Sequence, residues 1–217
     1  MIVLGIDGAL GSFSAAVHRD GATAAVVRDG NVALEEGLAA IARAMRDEGI
    51  VPQDLDRIAV GIGPGGFTGL RVAISYAKSL ALAWKRPLVG ISSFDVVEDG
   101  GDATRVLAVV RGRTGVISAR YRDGDASARA SGPIADVFAA ILPAAMTGAL
   151  PVAGALSQDV RDALAERAID VQPMSPLAEV PAAAVALLGS RRAPAESPHA
   201  VRADYGESPA AKVPKPR

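Results

Sequence analysis

Short runs of apolar residues, most of them closed by glycine or aspartate, organise the first hundred positions of the chain. Five such runs predict strands: MIVLGID, FSAAVHRDG, ATAAVVRDG, RIAVGIG and LVGI. Between the third and fourth runs, apolar residues recur at helical spacing from Leu34 to Met45, and Gly49 stands where a helix would end. A second helical pattern follows the fourth run. This order of strands and helices is typical of an α/β unit with a mixed sheet.

The second half of the chain repeats this order coarsely. A polar, glycine-rich stretch at 98–105 separates the two halves, and short strand patterns alternate with helical ones beyond it. We therefore predict an α/β protein with related halves at 1–97 and 98–192. Residues 193–217 are rich in proline and alanine, and this composition predicts a largely disordered tail.

Composition and charge narrow the classes of function. Lys and Arg together number 23 against 24 Asp and Glu, so no basic excess indicates that the chain binds nucleic acid by itself. The absence of cysteine excludes a disulfide framework, thiolate catalysis and cysteine-based metal sites. The first apolar run reaches an acid at Asp7 and lacks the length of a signal peptide or a membrane span. These features predict a soluble, cytoplasmic protein that does not engage a membrane.

The fourth predicted strand leads into GIGPGGFTGLR at 61–71, which matches phosphate-binding patterns only in part. Pro64 interrupts the dinucleotide pattern, residues 79–83 lack the expected acid, and the Gly-Lys-Ser/Thr of a Walker loop is missing. Two interpretations stay open. In the first, Thr68 caps the next helix, and Arg71 helps the N-terminus of that helix to attract an anion or a partner. In the second, the glycines only make a tight turn. The candidate residues are Gly63, Pro64, Gly65, Gly66, Phe67, Thr68, Gly69 and Arg71.

The helix after this loop carries two stripes of apolar side chains. One runs at four-residue spacing from Val72 to Trp84, and three alanines form a second stripe beside it. Small residues allow another helix to approach closely, so the stripes predict either contact with a second chain or packing against the helix's own sheet. The predicted dimer surface consists of Ala73, Tyr76, Ala77, Leu80 and Ala81 with Leu38, Ile41 and Met45 of the preceding helix.

The stretch GIGPGGFTGLRVAISYAKSLALAWKRPLVGISSFD resembles a segment typical of the bacterial TsaB (YeaZ) family. That segment reads G-x-G-P-G-S-F-T-G-L-R, then a helix with A-K-[GS]-L-A, then P-L-x-G-[VI]-S-S, and Gly66 stands where serine is usual. The opening LGIDGALGSFSAAV is similar to the family's first strand–turn–strand, with Asp7 in the acid position. PHAVRAD is similar to its closing P-x-Y-L-R, with Arg202 as the counterpart arginine.

This resemblance implies an actin-like (ASKHA, ribonuclease H-like) fold of two related halves. It also implies a role in making threonylcarbamoyladenosine at position 37 of ANN-decoding tRNAs. Members of the family are generally non-catalytic partners that dimerise with the transferase TsaD through N-terminal helices, in an assembly that also uses the ATPase TsaE and meets tRNA as a complex. The resemblance therefore implies no intrinsic cofactor, ATP or ADP only within the complex, and a homodimer when the chain is alone.

The second half departs from the family pattern. The family often carries D-A-R-R-x-E-V-Y there, whereas VVRGRTGVISARY retains only Arg111 and Arg113 as counterparts. VAGAL, with Gly154 as its single glycine, provides no clear second phosphate loop. Closure of two halves on ATP is therefore not expected.

The alternative is an enzyme of actin-like fold, either an ATP-dependent phosphotransferase or a glycopeptidase-type hydrolase. Its best feature is a first phosphate turn at Asp7 and Gly8, where the carboxylate would orient water or magnesium. The rival interpretation, which we favour, is a turn-stabilising aspartate. No metal site is predicted, because neither His18 nor His199 has a second histidine four residues away. No G-x-S-x-G elbow is present, so no catalytic residue is predicted.

Overall fold

A computed structural model of the chain describes residues 1–28, 33–174 and 180–206. The first half builds a five-stranded sheet in the order β3-β2-β1-β4-β5. Its strands are β1 (Ile2–Asp7), β2 (Phe13–Arg19), β3 (Ala22–Arg28), β4 (Arg57–Gly63) and β5 (Leu88–Ser92). β1 pairs antiparallel with β2 and parallel with β4, so the predicted mixed sheet is confirmed.

Helices cover both faces of this sheet. They are α1 (Ala33–Asp47), α2 (Phe67–Trp84) and α6 (Pro181–Arg191). Leu4 and Ile6 of β1 share one core with α1 and α2, whereas Val3 faces α6 on the opposite side. α6 approaches so closely that a Cβ at Gly5 would overlap the carbonyl oxygen of Ala182. Both faces of β1 are therefore buried, which explains its continuous apolar sequence.

The second half repeats the topology with the order β10-β9-β6-β7-β8. Its strands are β6 (Arg105–Arg111), β7 (Val116–Asp123), β8 (Ala126–Pro133), β9 (Gly148–Gly154) and β10 (Ile169–Pro173), and its helices are α4 (Ile134–Ile141) and α5 (Gln158–Ala165). β6 again pairs antiparallel with the following strand and parallel with β9. The two halves therefore share one strand order, as expected of an actin-like fold. Within the described residues, no helix is both long and apolar enough to cross a bilayer.

α6 follows the second sheet in sequence but packs against β1, β2 and β4 of the first. The sequence predicts this helix within the half at 98–192, and the structure differs. The physical reason is that the first sheet needs a second helical layer over its remaining apolar face. Small side chains such as Ala182 and Ala186 let α6 supply that layer at close range, and both are fully buried.

A short helix, α3 (Ser93–Glu98), joins the two halves through a partly buried ion-pair network. Arg120 of β7 pairs with Asp95 at 2.7 Å and with Glu98 at 3.0 Å. Arg122 pairs with Glu98 at 3.3 Å, and Arg192 pairs with Asp95 at 2.6 Å. The network ties α3 to the second sheet and to the end of α6.

Residues 193–206, named here the C-terminal strap, lie against the first sheet. The N–H of Ala195 donates to the carbonyl oxygen of Leu88 at 2.9 Å, and the N–H of Asp204 donates to the carbonyl oxygen of Ile62 at 2.7 Å. Val201 is buried within the first core. The prediction of a disordered tail is therefore wrong for 193–206, because a few anchors hold a segment whose composition alone predicts disorder. Residues 207–217 lie outside the described residues.

Truncating the chain after Arg192 is expected to lower the free energy of unfolding by about 2 kcal/mol or more, because Val201 alone buries a full apolar side chain. Urea unfolding followed by circular dichroism measures the change. Truncation after Gly206 is the control, since it keeps every strap contact described above. Equal stability of the two truncated chains would contradict the anchoring role of the strap.

Candidate functional site

The glycine loop, named here as residues 61–66, comprises the last residues of β4 and the turn that leads into α2. Gly63 has a φ of 92° and Gly65 a φ of 155°, which side-chain-bearing residues rarely adopt. α2 begins at Phe67, with Gly66 in the cap position and no side chain capping the helix. The predicted Thr68 cap is therefore wrong, because Thr68 already lies inside the helix.

The loop and the first turn of α2 pack against the turn that follows β1. The N–H of Gly66 donates to the carbonyl of Ala9 at 2.8 Å. A Cβ at Gly65 would overlap that same carbonyl, and a Cβ at Gly69 would overlap the carbonyl of Gly8. The chain's own backbone thus fills the space that a phosphate cradle would need at these positions. The geometry matches the second interpretation left open above, a tight packing turn.

The C-terminal strap closes the other side of the loop. A Cβ at Gly63 would overlap the carbonyl oxygen of Asp204, and Pro64 is buried. The carboxylate of Asp204 pairs with Arg129 of β8 at 2.9 Å, so the strap also touches the second sheet. The glycine loop is therefore held between the first turn and the strap, and only its helical end remains open to solvent.

Asp7 ends β1 beneath this loop and is completely buried. Its Oδ1 accepts hydrogen bonds from the N–H groups of Ala9 and Leu10, each at 3.0 Å, which is the geometry of a turn-stabilising aspartate. Its Oδ2 has no partner among the described residues and faces Gly61, where a Cβ would overlap it. Burial raises the pKa of Asp7 to about 6, against the lowering effect of the two N–H groups.

The open end of the loop carries an exposed group of three side chains, named here the arginine–aromatic cluster: Phe67, Arg71 and Tyr205. The guanidinium carbon of Arg71 lies 3.7 Å from the centre of the Phe67 ring and 5.3 Å from that of Tyr205. Arg71 Nε donates to the Tyr205 hydroxyl at 3.2 Å. Contact of Phe67, Thr68 and Arg71 with an anion or a partner stays a prediction.

The predicted dimer surface is only partly available on the folded chain. The small-residue stripe of α2 packs against the chain's own first sheet, and so do two of the α1 residues. The buried members are Ala73, Ala77, Ala81, Ile41 and Met45, none more than 5% exposed. The assignments of Ala73, Ala77 and Ala81 need correction, because these alanines pack in the monomer's own core and line no accessible surface. Ile41 and Met45 also belong to that core but line the groove described next, so their place in an interface stays a prediction. Leu38, Tyr76 and Leu80 keep exposed surface.

An apolar groove lies on the outer side of α1 and α2. It encloses about 610 Å³, and its lining is Leu38, Ile41, Ala42, Met45, Arg46, Gly49, Ile50, Val51, Pro52, Leu80 and Trp84. Leu38 and Val51 on its rim are about half exposed, at 49% and 52%. Exposed apolar side chains grouped in this way mark interaction surfaces. The stripe from Val72 to Trp84 thus contributes its C-terminal part, rather than its alanine neighbours, to an accessible surface.

A second cavity of about 390 Å³ lies between the two halves. Leu10, Val97, Val110 and Met174 line it, so its walls are mainly apolar. Among the described residues that line it, Arg111 at the end of β6 carries the charge. Apolar walls provide few donors for the phosphates of a nucleotide, and binding of ATP or ADP stays a prediction confined to a complex.

The two histidines occupy unrelated places. His18 is buried in β2, where its Nδ1 lies 2.9 Å from the Thr23 hydroxyl, and burial lowers its pKa. His199 lies in the strap, within the turn at Pro198–Ala200. In the described ranges, no three His, Cys, Asp or Glu residues come together as a metal site would require.

Sequence reasoning missed the residues of the strap that reach the loop, Asp204 and Tyr205. The available signal was the resemblance of PHAVRAD to a closing motif, which ends directly before Tyr205. Arg202 is the counterpart arginine of that motif, and its side chain is exposed. Its neighbours Val201 and Asp204 make the anchoring contacts instead.

The family model described as TsaD, tRNA N6-adenosine threonylcarbamoyltransferase, matches residues 34–186. The TsaB protein of Escherichia coli, named for tRNA threonylcarbamoyladenosine biosynthesis, is 40% identical over 68 residues, 30% of this chain and 29% of that protein. An uncharacterized protein of Mycobacterium tuberculosis is 38% identical over 115 residues, 52% of this chain and 50% of that protein. The chain thus spans half or less of the length of these curated relatives.

Among solved structures, YeaZ from Pseudomonas aeruginosa superposes with a TM-score of 0.69 at 22% identity. The match covers 94% of this chain and 99% of that one. A second Pseudomonas aeruginosa structure, titled as similar to peptidase YEAZ, gives a TM-score of 0.70 at 20% identity over 95% of this chain and 99% of that one. At these identities the likeness establishes the fold, two related α/β halves of actin-like type.

Proposed function

The chain belongs to the family described as TsaD, tRNA N6-adenosine threonylcarbamoyltransferase, and we propose that it acts in threonylcarbamoyladenosine biosynthesis on tRNA. Its proposed role is a non-catalytic subunit that assembles with the TsaD-type transferase in the cytoplasm. The relatives named TsaB support the pathway. The apolar groove on α1 and α2 is the observation that carries the subunit role, because it offers a binding surface on the helices expected to pair.

Three features of the molecule favour a subunit over a catalyst. Asp7, the best candidate for an acid that orients water or magnesium, is sealed under the glycine loop and bonds to its own turn. The loop's glycines contact backbone of the same chain at Ala9 and Asp204. The cavity between the halves has apolar walls at Leu10 and Met174. The first two features give packing roles to residues that the enzyme alternative needs for chemistry, and the third leaves the space between the halves with few donors for a nucleotide's phosphates.

The finer partnerships belong to the same proposal. The assembly includes a TsaE-type ATPase and binds tRNA as a complex. ATP or ADP binds only to that complex. The same groove serves a homodimer when the transferase is absent, so homodimer and heterodimer exclude each other.

The test combines assembly and activity with the cognate TsaD homologue. Co-elution on a sizing column, and modification of tRNA by the complex but not by this chain alone, are the expected results. Separate elution under all nucleotide conditions would argue against the subunit role. Turnover of ATP or a glycopeptide by the isolated chain, lost in Asp7→Ala, would favour the enzyme alternative.

Leu38→Glu is expected to weaken association with the transferase homologue at least tenfold, because it places a charge on the rim of the apolar groove. Leu82→Glu is the matched control: Leu82 is also 49% exposed but does not line the groove. Titration by isothermal calorimetry measures both affinities. Equal loss in the two variants, or in neither, would contradict the assignment of the groove.

A further inference from the structure

We propose that the arginine–aromatic cluster of Phe67, Arg71 and Tyr205 contacts a single-stranded segment of tRNA in the assembled complex. The inference rests on the proposed function, because it names the surface that would meet the complex's substrate. It gives the cluster a binding role and no part in the chemistry.

The cluster is ordered before any ligand arrives. The rings of Phe67 and Tyr205 lie 5.4 Å apart with their planes tilted by 43°. Arg71 stacks on Phe67 and donates from Nε to the Tyr205 hydroxyl, which holds all three side chains in one arrangement. Tyr205 reaches this position because Asp204 is fixed on both sides, by its N–H to Ile62 and by its carboxylate to Arg129. A preordered group loses less entropy on binding.

The cluster nevertheless stays open to solvent. Phe67 is 55% exposed and Tyr205 is 39% exposed, so substantial ring surface remains available. Single-stranded bases stack on such rings, and base–aromatic stacking contributes about 1–3 kcal/mol per base. A guanidinium has five N–H donors, of which Nε serves Tyr205. The terminal amino groups of Arg71 provide the charge-assisted donors that a phosphate accepts.

The charge around the cluster favours RNA over a second protein surface. The acid beside Tyr205, Asp204, is paired with Arg129 at 2.9 Å. Among the described residues of the strap, Arg202 is exposed and adds a positive charge to that of Arg71, while Asp204 is neutralised by Arg129. Basic side chains and aromatic rings together attract the phosphate backbone. The groove on α1 and α2 is mainly apolar and suits a protein, so the two surfaces have different chemistry.

The experiment measures tRNA binding by the full complex with the cognate TsaD homologue. Fluorescence anisotropy with an unmodified ANN-decoding tRNA transcript compares wild type with Arg71→Ala and Tyr205→Ala. Each variant is expected to bind about tenfold more weakly. Arg71→Ala is also expected to reduce the slope of log affinity against log salt by about one. Tyr205→Phe keeps the ring and is expected to retain binding.

Arg161→Ala on α5 is the control for loss of one positive charge, and its affinity should equal that of wild type. Ultraviolet crosslinking should join the peptide containing Phe67 or Tyr205 to an anticodon-loop oligonucleotide and not to an acceptor-stem hairpin. Unchanged tRNA affinity in both alanine variants, while the complex assembles and modifies tRNA, would overturn the inference and leave the proposed function intact.

Loss of assembly with the transferase in those variants, or a lower unfolding midpoint without a change in RNA affinity, would also overturn the inference. The first result would assign the cluster to binding of a protein partner. The second would mean that the cluster only holds the strap against the first half of the chain. A wild-type chain that neither assembles nor supports modification would overturn the proposed function and this inference with it.

Discussion

Replacing Ala77 with glutamate is expected to unfold the chain rather than to separate it from a partner. Ala77 is completely buried between α2 and the first sheet. A glutamate there overfills the core and places a carboxylate among apolar atoms, which costs about 4 kcal/mol or more. Natural domains have only about 5–15 kcal/mol of stability, so this single change removes a large fraction of it. Circular dichroism should show loss of the cooperative unfolding transition or a large fall in its midpoint.

Ser79→Glu is the control on the same helix, because Ser79 is exposed and its substitution adds the same charge outside the core. It should keep the wild-type midpoint within a few degrees. If Ala77→Glu kept a normal midpoint and changed only the oligomeric state, the alanine stripe would be an interface after all, and the burial described here would be wrong for the protein in solution.

The two sheets could be predicted from sequence because buried strands leave a strong signal. MIVLGID and RIAVGIG are apolar without interruption, since residues of β1 and β4 face helices on both sides of the first sheet. Turn glycines marked the ends of these runs. The place of α6 could not be predicted in the same way. Its small side chains fit any close helix–sheet contact, and the choice of sheet depends on which face remains uncovered.

The helical stripes illustrate what periodicity leaves undecided. α2 is apolar on most of its circumference, so the pattern does not reveal which side faces the sheet. The small side chains of Ala73, Ala77 and Ala81 let the helix lie close to the sheet, which buried them and left Leu80 and Trp84 beside the groove. The same reasoning from small residues fitted an intermolecular contact equally well. Only the three-dimensional arrangement separates the two.

The glycine loop was recognised by spacing, but spacing does not identify what the backbone approaches. Glycine permits close approach to a phosphate and to a carbonyl group alike. Here Gly65 approaches the carbonyl of Ala9, and Gly63 approaches that of Asp204, about 140 residues away in the sequence. The order of the strap could not be predicted for a related reason. A single buried side chain, Val201, and two backbone hydrogen bonds fix a segment that is rich in proline and alanine.

Asp7→Asn is expected to stabilise the chain at neutral pH by up to about 3 kcal/mol. Burial raises the pKa of Asp7 to about 6 in the fold, against 3.8 in the unfolded chain. Because the folded value is the higher one, ionisation of Asp7 favours the unfolded state as pH rises from about 4 to 6, and the full penalty of about 3 kcal/mol applies above that range. The amide keeps the acceptor for the N–H groups of Ala9 and Leu10 and removes the buried charge.

The gain should be smaller than this limit, because the new amide N–H groups would lie beside Gly61 without a described acceptor, at a cost of about 1 kcal/mol or more. Urea unfolding at pH 4, 5, 6, 7 and 8 measures the difference between the two chains. The variant's advantage should be absent at pH 4, grow between pH 4 and 6, and stay level above that range.

Asp125→Asn, at an exposed turn position, controls for the loss of one charge. A constant difference across all five pH values would show that the carboxyl of Asp7 is not buried in its charged form. If the variant were less stable than wild type at pH 8, Oδ2 of Asp7 would have to accept a hydrogen bond in the wild-type chain that the amide cannot replace.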